Sequence, residues 1–370
     1  MRRARGARLE LRLVRAVRVG TMQLTSDRLP DGPPDRVQKA RSRSLQLPLL
    51  SDSPTVRPPV LDHKQRGTDF IRLNVKSVLN SPESTGMKFW SLNPYVGCEF
   101  GCSYCYARDT HKWVSERSDK SVRSDKSDNT SDSSDRSDSS DQFEHRIYVK
   151  NDIARVVQQT LDPARVGDTP IVIGTATDPY QPAERQFFLT RRVLEAFRGF
   201  KGLTISITTK SALVARDVGL LVELAKRHDV SVNISIISAD PVLVRQVEPK
   251  TPLPHARLRA LRTLVQAGIE AGILIAPIMP GLTDTWTSLA NLMEAAREAG
   301  ARFASGHALR LGSVTRARFI PLLHETFPML APRYERHYGG RNNTSREYKK
   351  ALSRRLRLLK DAYGFGDRPG

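Results

Sequence analysis

NPYVGCEFGCSYCYAR, residues 93–108, contains every cysteine of the chain. Cys98, Cys102 and Cys105 follow a C-x3-C-x2-C pattern, with Gly97 and Gly101 beside the first two. Structural zinc takes four protein ligands, and so does an iron–sulfur cubane held only by cysteine. Three thiolates leave one metal corner for something else. Three readings stand at this point: a [4Fe–4S] cube with one open iron, a Cys3His zinc site that recruits His111, and a cluster with a structural role. Gly97 and Gly101 let the backbone bend tightly around a bulky inorganic group. An odd cysteine count with no distant cysteine argues against a secreted disulfide framework. A reducing cytoplasm is the expected home of free thiolates.

Outward from this loop, short apolar runs alternate with helical patterns. The β runs are WSLNPYV (90–96), PIVIGTAT (170–177), LTISITT (203–209), VSVNISII (230–237), AGILIAPIM (271–279) and RFASGHALRL (302–311). Helical patterns fall near 152–161, 189–198, 213–227, 255–267 and 285–299. Six strands separated by helices predict an α/β fold with parallel strands and right-handed crossovers. Six units suit a partial (β/α)6 TIM-type barrel, whose ligands gather where the strands end. Residues 313–370 read as a helical extension in which Leu352, Leu356 and Leu359 form a stripe that docks on the core.

Two stretches cannot build a core. Residues 1–66 are basic and Pro-rich and are expected to be disordered, and 115–141 are almost entirely Ser, Asp, Lys and Arg. The core domain is therefore expected over 67–312, with the low-complexity loop inside it. Residues 1–20 read either as an organelle-targeting helix or as translated upstream sequence ahead of Met22, the second being favoured. No apolar run is long enough for a membrane span. Net charge is +20, of which +8 falls in residues 1–45, so +12 is left on the remainder and favours polyanionic partners.

The cysteine loop resembles the cluster loop of the radical S-adenosylmethionine (radical SAM) superfamily, with Tyr104 at the aromatic position of C-x3-C-x-aromatic-C. RGTDFIRLNVKSVLN, TATDPYQPAE, ITTKSALVARD, SIISAD, Glu248-Pro249 and APIMPGLTD are similar to the branch that includes spore photoproduct lyase. The resemblance spans roughly residues 66–312. It implies a [4Fe–4S] cluster on Cys98, Cys102 and Cys105, with S-adenosylmethionine chelated at the open iron. It implies reductive cleavage to methionine and a 5′-deoxyadenosyl radical, which abstracts hydrogen from a substrate. It also implies an electron donor such as a flavodoxin or ferredoxin, with DNA or RNA as the first candidate substrate.

Within that resemblance, Thr175, Thr177 and Asp178 stand where relatives place a Gly-Gly-Glu turn for the methionine ammonium. Thr177-Asp178-Pro179 reads equally well as a helix cap. Lys210 at the third strand end suits a carboxylate or phosphate, Ser235 a carboxylate or ribose, and Ile275-Ala276-Pro277-Ile278 an adenine wall or ordinary barrel packing. Tyr180, Gln181, Glu184, Arg245 and Glu248 are candidates to face the substrate, each with a competing reading as a loop or helix-surface residue, and Glu248 with Arg245 reads first as a structural ion pair. His307 is placed either on the cavity or in the core. A photoproduct lyase is understood to use an extra cysteine as hydrogen donor. This chain has none to spare, so its reaction is expected to differ, with Tyr106 or Tyr180 as stand-ins. A nucleic-acid-binding protein with a structural or redox-sensing cluster is the competing class, and no binding signature supports it.

Overall fold

The computed structural model describes residues 67–109 and 142–365. The basic tail, His111 and the Ser/Asp-rich stretch lie outside the described residues. The strands are β1 (Asp69–Arg72), β2 (Leu79–Asn80), β3 (Trp90–Leu92), β4 (Tyr95–Val96), β5 (Arg146–Val149), β6 (Ile171–Ile173), β7 (Thr204–Thr209), β8 (Asp229–Ser235), β9 (Glu270–Ile278) and β10 (Ala304–Ala308). Seven of them form one sheet in the order β10-β9-β8-β7-β6-β3-β2. Six run parallel, and β2 closes one edge antiparallel to β3. The helices between them are α1 (Ile153–Thr160), α2 (Leu189–Phe197), α3 (Val218–Ala225), α4 (Pro254–Gln266) and α5 (Trp286–Glu298). This is the α/β partial barrel that the alternating runs predict.

Strands β7 and β8 explain why the barrel is hollow. Ile205, Ile207, Val230, Val232 and Ile234 are buried in the core beneath the helices. The alternate residues Ser206, Thr208, Asn233 and Ser235 face the inside and line a cavity. Strand side chains alternate between faces, so this pattern sends apolar groups outward and leaves small polar groups within. Packed parallel barrels are usually filled by bulky branched side chains, and these positions are not.

One expected strand divides. WSLNPYV is not a single strand: β3 ends at Leu92, and β4 belongs to a second sheet of order β1-β5-β4. Pro94 offers no N–H to a ladder. Asn93 holds the break, donating to Ser91 Oγ at 3.1 Å and Thr175 Oγ1 at 2.9 Å and accepting from Ala176 N at 2.8 Å. The Lys150 ammonium donates to Asn93 O at 2.7 Å, and burial lowers its pKa to about 8. The second sheet was not foreseen, because its middle strand, RIYV, is four residues long and directly follows the polar run.

Three further helices end the described chain: α6 (Ser313–Thr326), α7 (Ala331–Tyr338) and α8 (Arg346–Tyr363). Ser345 caps α8 by accepting from Tyr348 N at 3.1 Å, and Gly364 ends it in the left-handed region. Leu352 and Leu359 are buried in the main core and Leu356 packs beside it, so the leucine stripe docks against α5 and β10. Among the described residues, no helix is long and apolar enough to cross a membrane.

Candidate active site

The cysteine loop starts where β4 leaves its sheet. Gly97 has φ +87°, and a Cβ there would sit 2.8 Å from Arg146 O and 2.9 Å from Phe143 O. Only glycine fits so close to a neighbouring backbone at positive φ. Cys98 N donates to Phe143 O at 3.0 Å, and Thr177 Oγ1 donates to Gly97 O at 2.5 Å. Gln181 reaches Gly97 O with its Nε2 at 3.2 Å and accepts from Glu99 N at 2.9 Å. Ser103 donates to Val247 O through both N and Oγ. From the other side, the Thr315 hydroxyl of α6 lies 3.0 Å from Cys105 O. Strand ends and a C-terminal helix thus grip the loop together.

All three thiols are free, and Cys98 and Cys102 are buried. Burial pushes all three pKa values up, with Asp178 adding to the rise at Cys98 and Glu248 at Cys102. The three line one cavity of about 710 Å³, within the range of about 300–1,000 Å³ usual for small-molecule sites. No group of three or more His, Cys, Asp or Glu among the described residues could hold a single metal ion. The thiols are nonetheless close enough for Cys102 and Cys105 to add to the rise at Cys98.

Beside them lies a buried charge network. Tyr104, between the second and third cysteines, donates its OH to Glu248. Arg257 also bonds Glu248, and Lys210 Nζ lies 3.7 Å from it. Burial alone would raise the Glu248 carboxyl, but Arg257 and Lys210 outweigh it and hold it below its usual value. Lys210 also donates to Ser235 Oγ at 2.8 Å and stands over the Tyr104 ring. Asp178 accepts from Lys210 N at 2.7 Å, Thr209 Oγ1 at 2.6 Å and Tyr180 N at 2.9 Å. Asp178 thus ties the end of β6 to the end of β7 and is not a helix cap. Burial still raises its pKa, against those three bonds.

Residues 92–298 match the Radical SAM superfamily. The chain belongs to it. The uncharacterized Mycobacterium tuberculosis (strain ATCC 25618 / H37Rv) protein Rv2578c is 32% identical over 307 residues, which is 82% of this chain and 83% of that protein. The uncharacterized protein MJ0683 of Methanocaldococcus jannaschii is 28% identical, covering 58% of this chain and 70% of its own length. In three dimensions the chain is similar to a spore photoproduct lyase variant solved with bound AdoMet and dinucleoside spore photoproduct. There the TM-score is 0.55 at 16% identity, covering 80% of this chain and 79% of the other. That likeness shows a common radical SAM fold.

One cavity gathers Cys98, Cys102, Cys105, Tyr104, Thr175, Thr177, Asp178, Lys210 and Ser235. The apolar wall is corrected in part: Ala276 and Pro277 line the cavity beside Leu274, whereas Ile275 and Ile278 are fully buried in the core. Strand alternation faces Leu274 and Ala276 inward but breaks at Pro277. A second correction concerns the substrate candidates. Tyr180, Gln181 and Glu184 are buried away from the cavity. Glu184 accepts from Tyr95 OH at 2.5 Å and from Thr190 N at 2.9 Å, so it secures the scaffold beneath the loop. Glu248 pairs with Arg257, not with Arg245, which bonds the carbonyls of Pro249 and Thr251. Arg257 sits one turn inside α4, and nothing in the linear sequence links it to Glu248.

His307 lines the cavity, where surrounding protein lowers its pKa. Tyr106 also lines it, donating its OH to Thr175 O, whereas Tyr180 does not. Sequence reasoning missed Asn93, Ser206, Asn233 and Ser305. The signal for the strand residues was available: VSVNIS alternates apolar and polar residues in a strand that packs helices on one side only.

Proposed function

We propose that this chain is a radical enzyme that holds a [4Fe–4S] cluster on Cys98, Cys102 and Cys105 and binds S-adenosylmethionine beside it. The observation that carries this reading is three free thiols on one wall of a cavity large enough for both groups. The donor set fits. Three soft sulfur ligands suit iron–sulfur chemistry, and two positive-φ glycines leave the loop without side chains at Gly97 and Gly101. Those residues would hold both groups, and the chemistry supplied there would be one-electron cleavage of S-adenosylmethionine to methionine and a 5′-deoxyadenosyl radical able to abstract hydrogen.

The chain's own residues bind, orient and exclude water. Lys210 brings a cation for a carboxylate, while Glu248 and Ser235 fix its position. Thr175 and Asp178 present oxygens to an ammonium group. Thr177 acts at one remove, because its hydroxyl is committed to Gly97 O. Leu274, Ala276 and Pro277 give an apolar wall for a purine. A nucleic-acid base is the substrate that best suits the positive charge of the chain and the dinucleoside bound by its structural neighbour.

Anaerobic reconstitution with iron and sulfide, followed by dithionite and S-adenosylmethionine, tests the proposal. The expected result is 5′-deoxyadenosine and methionine. A fully loaded cluster that releases neither would reject radical chemistry in favour of a structural or redox-sensing centre.

A further inference from the structure

Residues 331–363 span α7, α8 and the turn between them. They hold ten Lys/Arg against three Asp/Glu, so +7 of the chain's +20 falls there. Much of it lies on one side of α8. Arg346, Lys349, Lys350, Arg354 and Arg357 are exposed, and among the described residues none has an ion pair or a side-chain hydrogen bond. At about 100° per residue the five fall within an arc of about 140°. Leu352, Leu356 and Leu359 take the other side of the helix and pack on the core. Spacings of three and four residues make Arg346 a neighbour of Lys350, Lys350 of Arg354, and Arg354 of Arg357. Like charges so placed destabilise a helix, and its acidic residues are only Glu347 and Asp361.

A surface that repels itself when bare is satisfied by a polyanion. Arg346 and Arg357 are eleven residues apart, or about 16 Å along the axis. A duplex carries one negative charge per about 1.7 Å, hence about ten phosphates over that length. Three of the five cations are arginines, whose planar fork takes a phosphate bidentately. The apolar side of α8 is spent on the core, so the helix has none left to enter a membrane. The helix also packs across β10, the last strand of the sheet, where a Cβ on Gly306 would sit 3.2 Å from Leu356 Cδ1. Ser305 and His307 of that strand line the cavity, so the basic side stands outside the barrel wall.

We infer that the outer side of α8 is a docking face for the phosphate backbone of a nucleic-acid duplex, separate from the cavity. Backbone contacts position a duplex without reading its sequence. This goes beyond the proposed function and does not depend on it.

Fluorescence anisotropy of the full-length chain with a short labelled DNA duplex tests this across a salt series. Lys350→Gln/Arg354→Gln/Arg357→Gln is expected to weaken binding at least about tenfold at low salt. It should flatten the plot of log affinity against log salt by about 2.7, from about 0.9 for each lost contact. Because it removes like-charge pairs, this variant should melt no lower than the wild type. Arg192→Gln/Lys201→Gln/Arg259→Gln takes the same charge from exposed positions elsewhere and is expected to keep both affinity and slope. Residues 1–45 bring their +8 to every variant, so the differences read α8 alone. The inference is overturned if the α8 variant keeps the wild-type slope or if the control variant loses as much. It also fails if polyglutamate displaces the labelled duplex as readily, charge for charge, as unlabelled duplex does. Cleavage of S-adenosylmethionine is read separately and without nucleic acid, so the proposed function and this face can fail independently.

Discussion

The two halves of the cavity wall differ in one respect. Around the cysteine loop the polar side chains that line the wall are already bonded within the protein: Thr175 to Asn93, Thr177 to Gly97, Asp178 to Thr209, Lys210 to Ser235. Thr208 on β7, Ser305 and His307 on β10, and Arg310 just past its end have no such partner among the described residues. A partnered wall cannot rearrange without breaking buried bonds, so it suits a resident group held in one geometry. An unpartnered wall is satisfied by water when empty and by ligand when filled, which suits a substrate that comes and goes.

The largest effect that would sharpen this contrast is expected from Cys102→Ala. It should abolish both the visible absorbance of the reconstituted cluster and the formation of 5′-deoxyadenosine, while urea unfolding keeps a single transition. Next is Glu248→Gln, which leaves the buried Arg257 guanidinium without its counter-charge. Breaking a buried pair in this way costs about 3–5 kcal/mol, measurable by denaturant titration. A loss below about 1 kcal/mol would show that the network is not structural.

Thr177→Val and Thr208→Val form a matched pair. The first removes the shorter of the two hydrogen bonds to Gly97 O, with Gln181 Nε2 still donating, and should cost about 0.5–1.5 kcal/mol. The second removes a hydroxyl with no protein partner and should leave the unfolding midpoint almost unmoved. Equal losses would erase the distinction between the two halves.

A pH-dependent effect concerns Lys150, whose folded pKa of about 8 lies below its ordinary 10.5. Between those values the unfolded chain binds the proton and the folded chain does not. Stability should therefore rise with pH from about 8 to 10.5, and the penalty of burying the cation is fully present below that window. Lys150→Met should flatten this rise in thermal melts compared across that range.

Much of the fold was legible because its signals are local. Apolar runs and helical periods placed the six parallel strands and the helices that cross between them. The break at Asn93-Pro94 carried its own mark in the proline. The second sheet carried almost none, since its strands are two to four residues long and pair across the low-complexity stretch. Of the site, the cysteines and the strand-end Thr175, Asp178 and Lys210 could be placed because strand ends point to one rim. Ile278 failed because a single break in alternation moves a side chain to the other face. Tyr180, Gln181 and Glu184 failed because a polar residue after a strand looks the same in sequence whether it faces a ligand or clamps a neighbouring loop.

By itself the amino-acid sequence determined the barrel, the superfamily and the clustering of the three cysteines, all of which depend on spacing along the chain. Tertiary structure alone decided that Arg257 answers Glu248, that Thr177 serves the loop, and that the barrel is hollow beneath it. Those depend on which groups meet across strands and helices far apart in sequence, and a buried charge or hydroxyl takes its role from the partner that folding brings to it.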